Sequence, residues 1–259
     1  PRFTQPLLYQ EIENHPSPLD IYSDKLVNDN IYKKKEIETH RNDFEETLEN
    51  KLKKAKEIQK TKIKQFLIED WKNYKYPEKK DFKNHIPTGV DKKKLLEIVK
   101  KINTLPKDKK FFRKTHKLIE YRNKLLKEKN TDWALAELLA YGSLLKEGIP
   151  VRISGQDSVR GTFSHRHAAH VVEDSDQTYI PLEHIDKSQA HFYIYNSPLN
   201  EYGVMGFEYG YALAKPNGLT VWEAQFGDFM NVAQVIIDQY IASAEEKWGL
   251  MNGIVLYLP

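Results

Sequence analysis

Apolar residues along the first half of the chain fall at helical spacings. Between Tyr32 and about Asp70, Ile37, Phe44, Leu48, Leu52, Ala55 and Ile58 recur at steps of three, four and seven among Lys and Glu. That pattern predicts a long surface helix with one buried stripe. Before it, TQPLLYQEI and DIYSDKLV are short amphipathic runs parted by the turn-prone His15–Pro18, and they predict two short helices. The prolines and glycine of YKYPEKKDFKNHIPTGV break the pattern, which returns at Asp91–Lys101, with Asp91 as its cap, and at Lys114–Lys127.

From Asp132 the pattern changes. DWALAELLAYGSLLKEG is apolar on most faces and ends at Gly148, which predicts a buried helix. Four short apolar runs follow: Val151–Ser154, His191–Tyr195, Leu219–Trp222 and Ile254–Leu258. Helical stretches follow the second and third, the clearest being Phe229–Ala244. Strands alternating with helices predict an α/β fold, a mostly parallel twisted sheet with helices on both faces, preceded by an α-helical region. The expected division is residues 1–130 as a lysine-rich helical connector and 131–259 as the α/β domain.

Charge supports that division. Up to Asn130 there are 33 Lys+Arg against 21 Asp+Glu; the remainder has 7 against 16, and eleven of the twelve glycines fall there. The lysines are interleaved with acids on polar helix faces, which points to a solvated surface rather than a nucleic-acid face. Trp71, Tyr74 and Tyr76 beside Lys72 and Lys75 are the stacking candidates if nucleic acid were the partner. No apolar run approaches the ~20 residues of a membrane span. The chain has no cysteine, which removes disulfides, thiolate metal sites and cysteine nucleophiles. It opens on Pro1 and stops at Pro259 directly after an apolar run, and so reads as an excised piece of a longer protein, with the α/β domain cut short at its C-terminal end.

Candidate chemistry gathers where open sheets hold ligands, past the carboxyl ends of strands. Gln156 and Asp157 follow the first strand and begin SGQDSVRGTFSHRHAAH, a glycine-containing polar run with a buried-type Phe163, suited to a ligand loop. His165 and His167 lack acidic partners at ligand spacing, and no metal site is expected. Glu201 opens a helix in which Gly203, Gly206 and Gly210 form a face without side chains. By position alone, Glu201 is equally a first-turn acid favoured by the helix dipole. Phe226 and Phe229 follow the third strand, where the plain reading is core packing. GxGxxG, GxxxxGK[ST] and GxSxG are all absent.

The runs SGQDSVRGTFSHRHA, YIPLEHI, NSPLNEYGVMGFEYGYALAKPNGL and WEAQFGDFMNVAQVIIDQYIASAEEKWG together closely resemble the decarboxylating first component of 2-oxoglutarate dehydrogenase, a thiamine-diphosphate enzyme of transketolase-like fold. PRFTQPLLYQEI and HIPTGVDKKKLLEIVKKINTLP resemble the connector that precedes its pyrimidine-binding domain. The resemblance implies a chain that supplies the aminopyrimidine half of the cofactor site. Diphosphate and Mg2+ would be held by a domain absent here, and the fragment alone would be inactive.

Carried over residue by residue, Glu201 is similar to the glutamate that hydrogen-bonds the aminopyrimidine ring and favours its imino tautomer, the catalytic role. Gln156 matches a polar cofactor contact, Phe226 and Phe229 the aromatic region that stacks on the ring, and Gln225 the pocket lining. Asp157, His165 and His167 correspond to positions near substrate or interface. The whole enzyme would be a homodimer that decarboxylates 2-oxoglutarate and passes the succinyl group to a lipoyl-bearing succinyltransferase. It would work in the bacterial cytoplasm, or in the mitochondrial matrix of a eukaryote. A 2-oxoadipate-acting relative and a non-catalytic basic helical interaction module remain the alternatives.

Overall fold

The structure is a computed structural model that describes residues 1–58, 60 and 64–259. The chain forms two compact units, Pro1–Lys64 and Gln65–Pro259.

The first unit is helical: α1 (Pro6–Asn14), α2 (Pro18–Asn28) and α3 (Lys34–Glu57). Proline opens α1 and α2, where its missing N–H costs nothing, and the Ser17 hydroxyl accepts from Asp20 N to cap α2. The helix expected over Tyr32 to about Asp70 is shorter than its pattern. Helix α3 stops at Glu57, α4 (Ile68–Trp71) is separate, and residues 59 and 61–63 between them lie outside the described residues. Nor is the stripe buried, since α3 has no buried residue and Phe44, Leu48 and Leu52 are all exposed.

In the second unit, α5 (Lys92–Ile102), α6 (Arg113–Lys127) and α7 (Trp133–Lys146) lead into the sheet. Asp91 accepts from Lys93 N and Lys94 N, and Asp132 from Leu135 N, so both helices start on the carboxylates that their sequence marks. Gly148 ends α7 at φ 83°, a conformation that favours glycine. Six strands follow: β1 (Val151–Gly155), β2 (His170–Val171), β3 (Thr178–Tyr179), β4 (Phe192–Asn196), β5 (Leu219–Glu223) and β6 (Ile254–Tyr257). The main sheet is all parallel in the order β4-β1-β5-β6, while β2 and β3 form a small antiparallel pair too short to show as a period in the sequence.

Helices cover both faces. Val151, Ile153, Phe192, Ile194 and Val221 point to one side, against α5 and α7 through Ile98, Leu135, Leu138 and Leu145. On the other side Trp222 and Ala224 meet α8 (Glu201–Ala214) through Val204 and Met205. Burial on two faces explains why the strands read as continuous apolar runs rather than alternating ones. Glycine permits two close approaches here. A Cβ on Gly155 would lie 1.9 Å from the Glu223 carbonyl oxygen, and one on Gly206 would lie 3.3 Å from the Ile236 side chain.

The continuous helix expected over Phe229–Ala244 is broken. A 3-10 stretch (Gly227–Ala233) leads into α9 (Gln234–Ile236), a π-helical turn (Ile237–Ile241) and α10 (Ala244–Trp248). Ala242 N donates to Ile237 O, five residues back. This wider turn lets Ile236 and Ile241, also five apart, both join the cluster on α8. At the far end of α8, Trp71 is buried and donates its indole N–H to Leu213 O at 2.8 Å, so it packs as core.

Candidate functional site

The four parallel strands end in register: Gly155 sits beside Asn196 and Glu223, and Glu223 beside Tyr257. From β1 the chain proceeds to β4 on one side, and from β5 to β6 on the other. The connections diverge between β1 and β5, where an open parallel sheet forms its ligand crevice.

Glu201 occupies the first position of α8, just past the end of β4, and is 7% exposed. The Asn200 side chain caps that helix by accepting from Gly203 N at 3.0 Å, so Glu201 is not needed as the cap. Gln156 follows β1 directly, and its amide donates to Leu199 O at 3.4 Å, tying the loop after β1 to the segment before α8.

Phe226 and Phe229 do not pack in the core, as the plain reading of their positions has it. They are 42% and 41% exposed, 5.9 Å apart between ring centroids, and Phe226 also meets Phe163 at 6.3 Å. Phe163, expected to be buried, is 66% exposed. A single exposed ring needs no explanation, but three joined in a row through Phe226 at the crevice edge form a stacking platform.

The loop after β1 is pinned to the loop after β5. Asp157 adopts φ 59°, and its Oδ2 accepts from Arg160 Nη2 at 2.6 Å and from Gln225 Nε2 at 2.8 Å. Arg160 Nη1 donates to Gly161 O and Thr162 O, and the Thr162 hydroxyl reaches Ala224 O at 3.3 Å. The His165 ring lies over Gly161, with Nε2 3.9 Å from Glu137. His167 adopts φ 41°, and its backbone N–H donates to Arg160 O at 3.2 Å; burial, then Lys114 and Arg122, push its pKa down.

Beneath the crevice, on the α7 side, Arg166 joins two carboxylates. Its guanidinium donates to both oxygens of Glu137 (3.0 and 2.8 Å), to Glu223 Oε2 at 2.5 Å and to Ser158 O at 2.5 Å. Burial alone would depress the Arg166 pKa, but Glu137 and Glu223 outweigh it and raise it. The Tyr141 hydroxyl donates to Glu137 at 2.5 Å and lies 3.1 Å from the Tyr257 hydroxyl. Burial and then Glu137 push the Tyr141 pKa up, so it stays a neutral donor. Glu223 Oε1 is buried and, among the described residues, has no hydrogen-bond partner. Glu137, His165, Arg166, Glu223 and Tyr257 form the polar end of a cleft of about 800 Å³, whose other walls include Trp133, Leu256 and Leu258.

The structure thus sets Gln156, Asp157, Glu201, Gln225, Phe226 and Phe229 around the carboxyl edge and places His165, but not His167, in the lining of the adjoining cleft. Sequence reasoning missed Glu137, Arg166 and Glu223. SHRH drew attention to its histidines, yet the residue between them is the buried one, and its partners lie 29 and 57 positions away. The donor set suits a planar nitrogen heterocycle such as an aminopyrimidine: rings to stack on, a carboxylate for a ring nitrogen and carboxamides for the exocyclic amine.

The transketolase pyrimidine-binding domain matches residues 129–259. The mitochondrial 2-oxoglutarate dehydrogenase of Saccharomyces cerevisiae is 41% identical over 262 residues, and that of Schizosaccharomyces pombe 44% identical over 264. The 2-oxoglutarate dehydrogenase E1 component of Brucella anthropi is 42% identical over 260. Each alignment covers 100% of this chain and 26% of the relative. The chain therefore spans about a quarter of the length of the curated relatives it matches.

Proposed function

We propose, from the premise that the chain belongs to the transketolase pyrimidine-binding domain family, that it supplies the aminopyrimidine half of a thiamine-diphosphate site in a 2-oxoglutarate dehydrogenase. The observation that carries this reading is Glu201. It is nearly buried at the start of α8, relieved of capping by Asn200, on the sheet edge that also carries the Phe226 and Phe229 rings.

When bound, thiamine diphosphate supplies the electron sink for decarboxylation of a 2-oxo acid. The Glu201 carboxyl group would hydrogen-bond the pyrimidine ring nitrogen and so favour the tautomer in which the exocyclic nitrogen can act as a base. Phe226 and Phe229 would hold the ring by its face and shield that face from water, and Gln156 and Gln225 would orient it by their amides. These residues deliver orientation and proton placement. On this reading phosphate and Mg2+ are held by a different domain.

The same reading assigns residues 1–130 as connector and 131–259 as the cofactor-binding domain. The working enzyme is a homodimer with a lipoyl-bearing succinyltransferase as partner, in the bacterial cytoplasm or the mitochondrial matrix. Among the described residues no helix is long and apolar enough to cross a membrane. His165, beside the cleft, is the candidate for substrate contact.

The test is 2-oxo acid decarboxylation by the full-length protein with thiamine diphosphate and Mg2+, using 2-oxoglutarate and 2-oxoadipate side by side. Preferred turnover of 2-oxoglutarate is expected. Preference for 2-oxoadipate would move the specificity to that relative, and no cofactor-dependent turnover of either would overturn the reading. The 259-residue chain alone is expected to turn over neither acid.

A further inference from the structure

We infer that Asp157 is a positioning residue that locks the loops after β1 and β5 into one cofactor-facing unit, an inference that rests on the cofactor reading above. Asp157 occupies the left-handed region at φ 59°, which an aspartate adopts far more readily than most side chains. That backbone turn places its carboxylate between the two loops, where a single oxygen, Oδ2, receives both Arg160 at 2.6 Å and Gln225 at 2.8 Å.

The bond to Gln225 fixes polarity as well as place. An ionised carboxylate only accepts hydrogen bonds, so the Gln225 amide must turn its N–H end toward Asp157. Its carbonyl oxygen is then the end offered to a ligand, and an exocyclic amine is the complementary donor. Arg160 extends the lock by holding the carbonyls of Gly161 and Thr162, the two residues before Phe163. Thr162 bonds in turn to Ala224 O, two residues before Phe226. Phe163 and Phe226 therefore meet because their loops are joined on both sides, and the aromatic platform depends on Asp157 although Asp157 is not part of it.

The test compares Asp157→Ala, Asp157→Asn, Gln225→Ala and the Asp157→Ala/Gln225→Ala double variant in the full-length enzyme. Two readouts are taken: thiamine-diphosphate affinity by calorimetry with Mg2+ present, and amide hydrogen exchange of the cofactor-free protein. Asp157→Ala should weaken cofactor binding about tenfold to a hundredfold, the scale on which supporting partners of a bound group act. The fall in affinity should exceed the fall in kcat at saturating cofactor. Asp157→Asn keeps an acceptor oxygen and tolerates the backbone conformation, so it should recover most of the loss. The double variant should be little worse than the worse single one.

In the cofactor-free protein, exchange across residues 157–163 should quicken in both single Ala variants while α7 stays protected. Unchanged affinity in Asp157→Ala, additive losses, or a kcat loss at unchanged affinity would each overturn the lock; the last would make Asp157 a substrate contact. If Asp157→Ala does not fold, Gln225→Ala decides alone, and unchanged exchange at residues 157–163 overturns the inference. If the wild-type enzyme binds no thiamine diphosphate, the cofactor reading fails, and the exchange measurement still judges the lock.

Discussion

Arg152 and Arg166 both lie under the helices that flank the sheet, but they are partnered in opposite ways. On the α8 side, Arg152 donates through Nε and Nη2 to both oxygens of Glu208, at 2.7 and 2.8 Å. Three aromatic rings, Tyr195, Phe207 and Tyr211, surround its guanidinium at 4.6–5.1 Å. One charge meets one charge, every Glu208 oxygen is filled, and the pair is closed. On the α7 side, Arg166 faces Glu137 and Glu223 together, two carboxyl groups for one guanidinium, and among the described residues Glu223 Oε1 is left without a partner. A neutral, saturated pair is what a protein needs to hold a helix on a sheet. A buried cluster with an acceptor oxygen left over, opening on a cleft at the carboxyl edge, has capacity to meet something else.

The contrast extends to basic groups that make no side-chain ion pair with a carboxylate. Among the described residues the Arg122 guanidinium donates to a carbonyl, Arg166 O at 2.6 Å, and burial lowers its pKa to about 10 despite Asp132. His170 is lowered to about 4 by burial, then by Arg122 and His167. Burial lowers the pKa of both groups, but only His170 is carried below neutral pH and so left uncharged; Arg122 keeps its charge.

The strongest way to break the comparison is to remove Arg166. Arg166→Ala leaves two carboxylates facing each other inside the protein, and should destabilise the chain by about 3–5 kcal/mol, read from thermal or urea unfolding. A loss below 1 kcal/mol would show that the cluster is not a coupled charge system. His170 gives the next effect. The folded chain takes up its proton only near pH 4, the unfolded chain near 6.5, so between these values the unfolded state binds more protons. Stability is full above pH 6.5 and falls as pH drops toward 4, by up to about 3 kcal/mol for this group. His170→Gln should flatten that part of the stability profile; an unaltered profile would place the acid sensitivity elsewhere.

The smallest effect separates the two glutamates. Glu208→Gln turns an amide N–H against a guanidinium that fills both carboxylate oxygens, and should cost about 1–3 kcal/mol. Glu223→Gln can set its amide nitrogen at the unpartnered oxygen position and keep its acceptor on Arg166, so it should cost less than about 1 kcal/mol. Equal costs would erase the distinction between a closed and an open cluster.

Most of the architecture is legible in the residues themselves. Asp91, Asp132 and Gly148 bound helices by local chemistry, and the four apolar runs are long enough to be strands. What depends on distant partners is not. The exposure of Phe163 and Phe226 follows from loops joined through Asp157, and Arg166 is recognisable only once Glu137 and Glu223 come together. The π-helical turn arises because Ile236 and Ile241 face α8, a contact that no local pattern encodes. The Phe44, Leu48 and Leu52 stripe of α3 shows the opposite error, since amphipathic spacing says which face is apolar and not whether anything covers it.

The account turns on Glu201 as the carboxyl group that acts on the cofactor's ring. The direct test is turnover of 2-oxoglutarate by the full-length enzyme carrying Glu201→Ala, at saturating thiamine diphosphate and Mg2+, with unfolding temperature measured alongside. The account predicts a rate lower by about 10²-fold or more, the scale of a lost general acid–base group, with the unfolding temperature close to wild type. Near-normal turnover in a folded Glu201→Ala enzyme would contradict it.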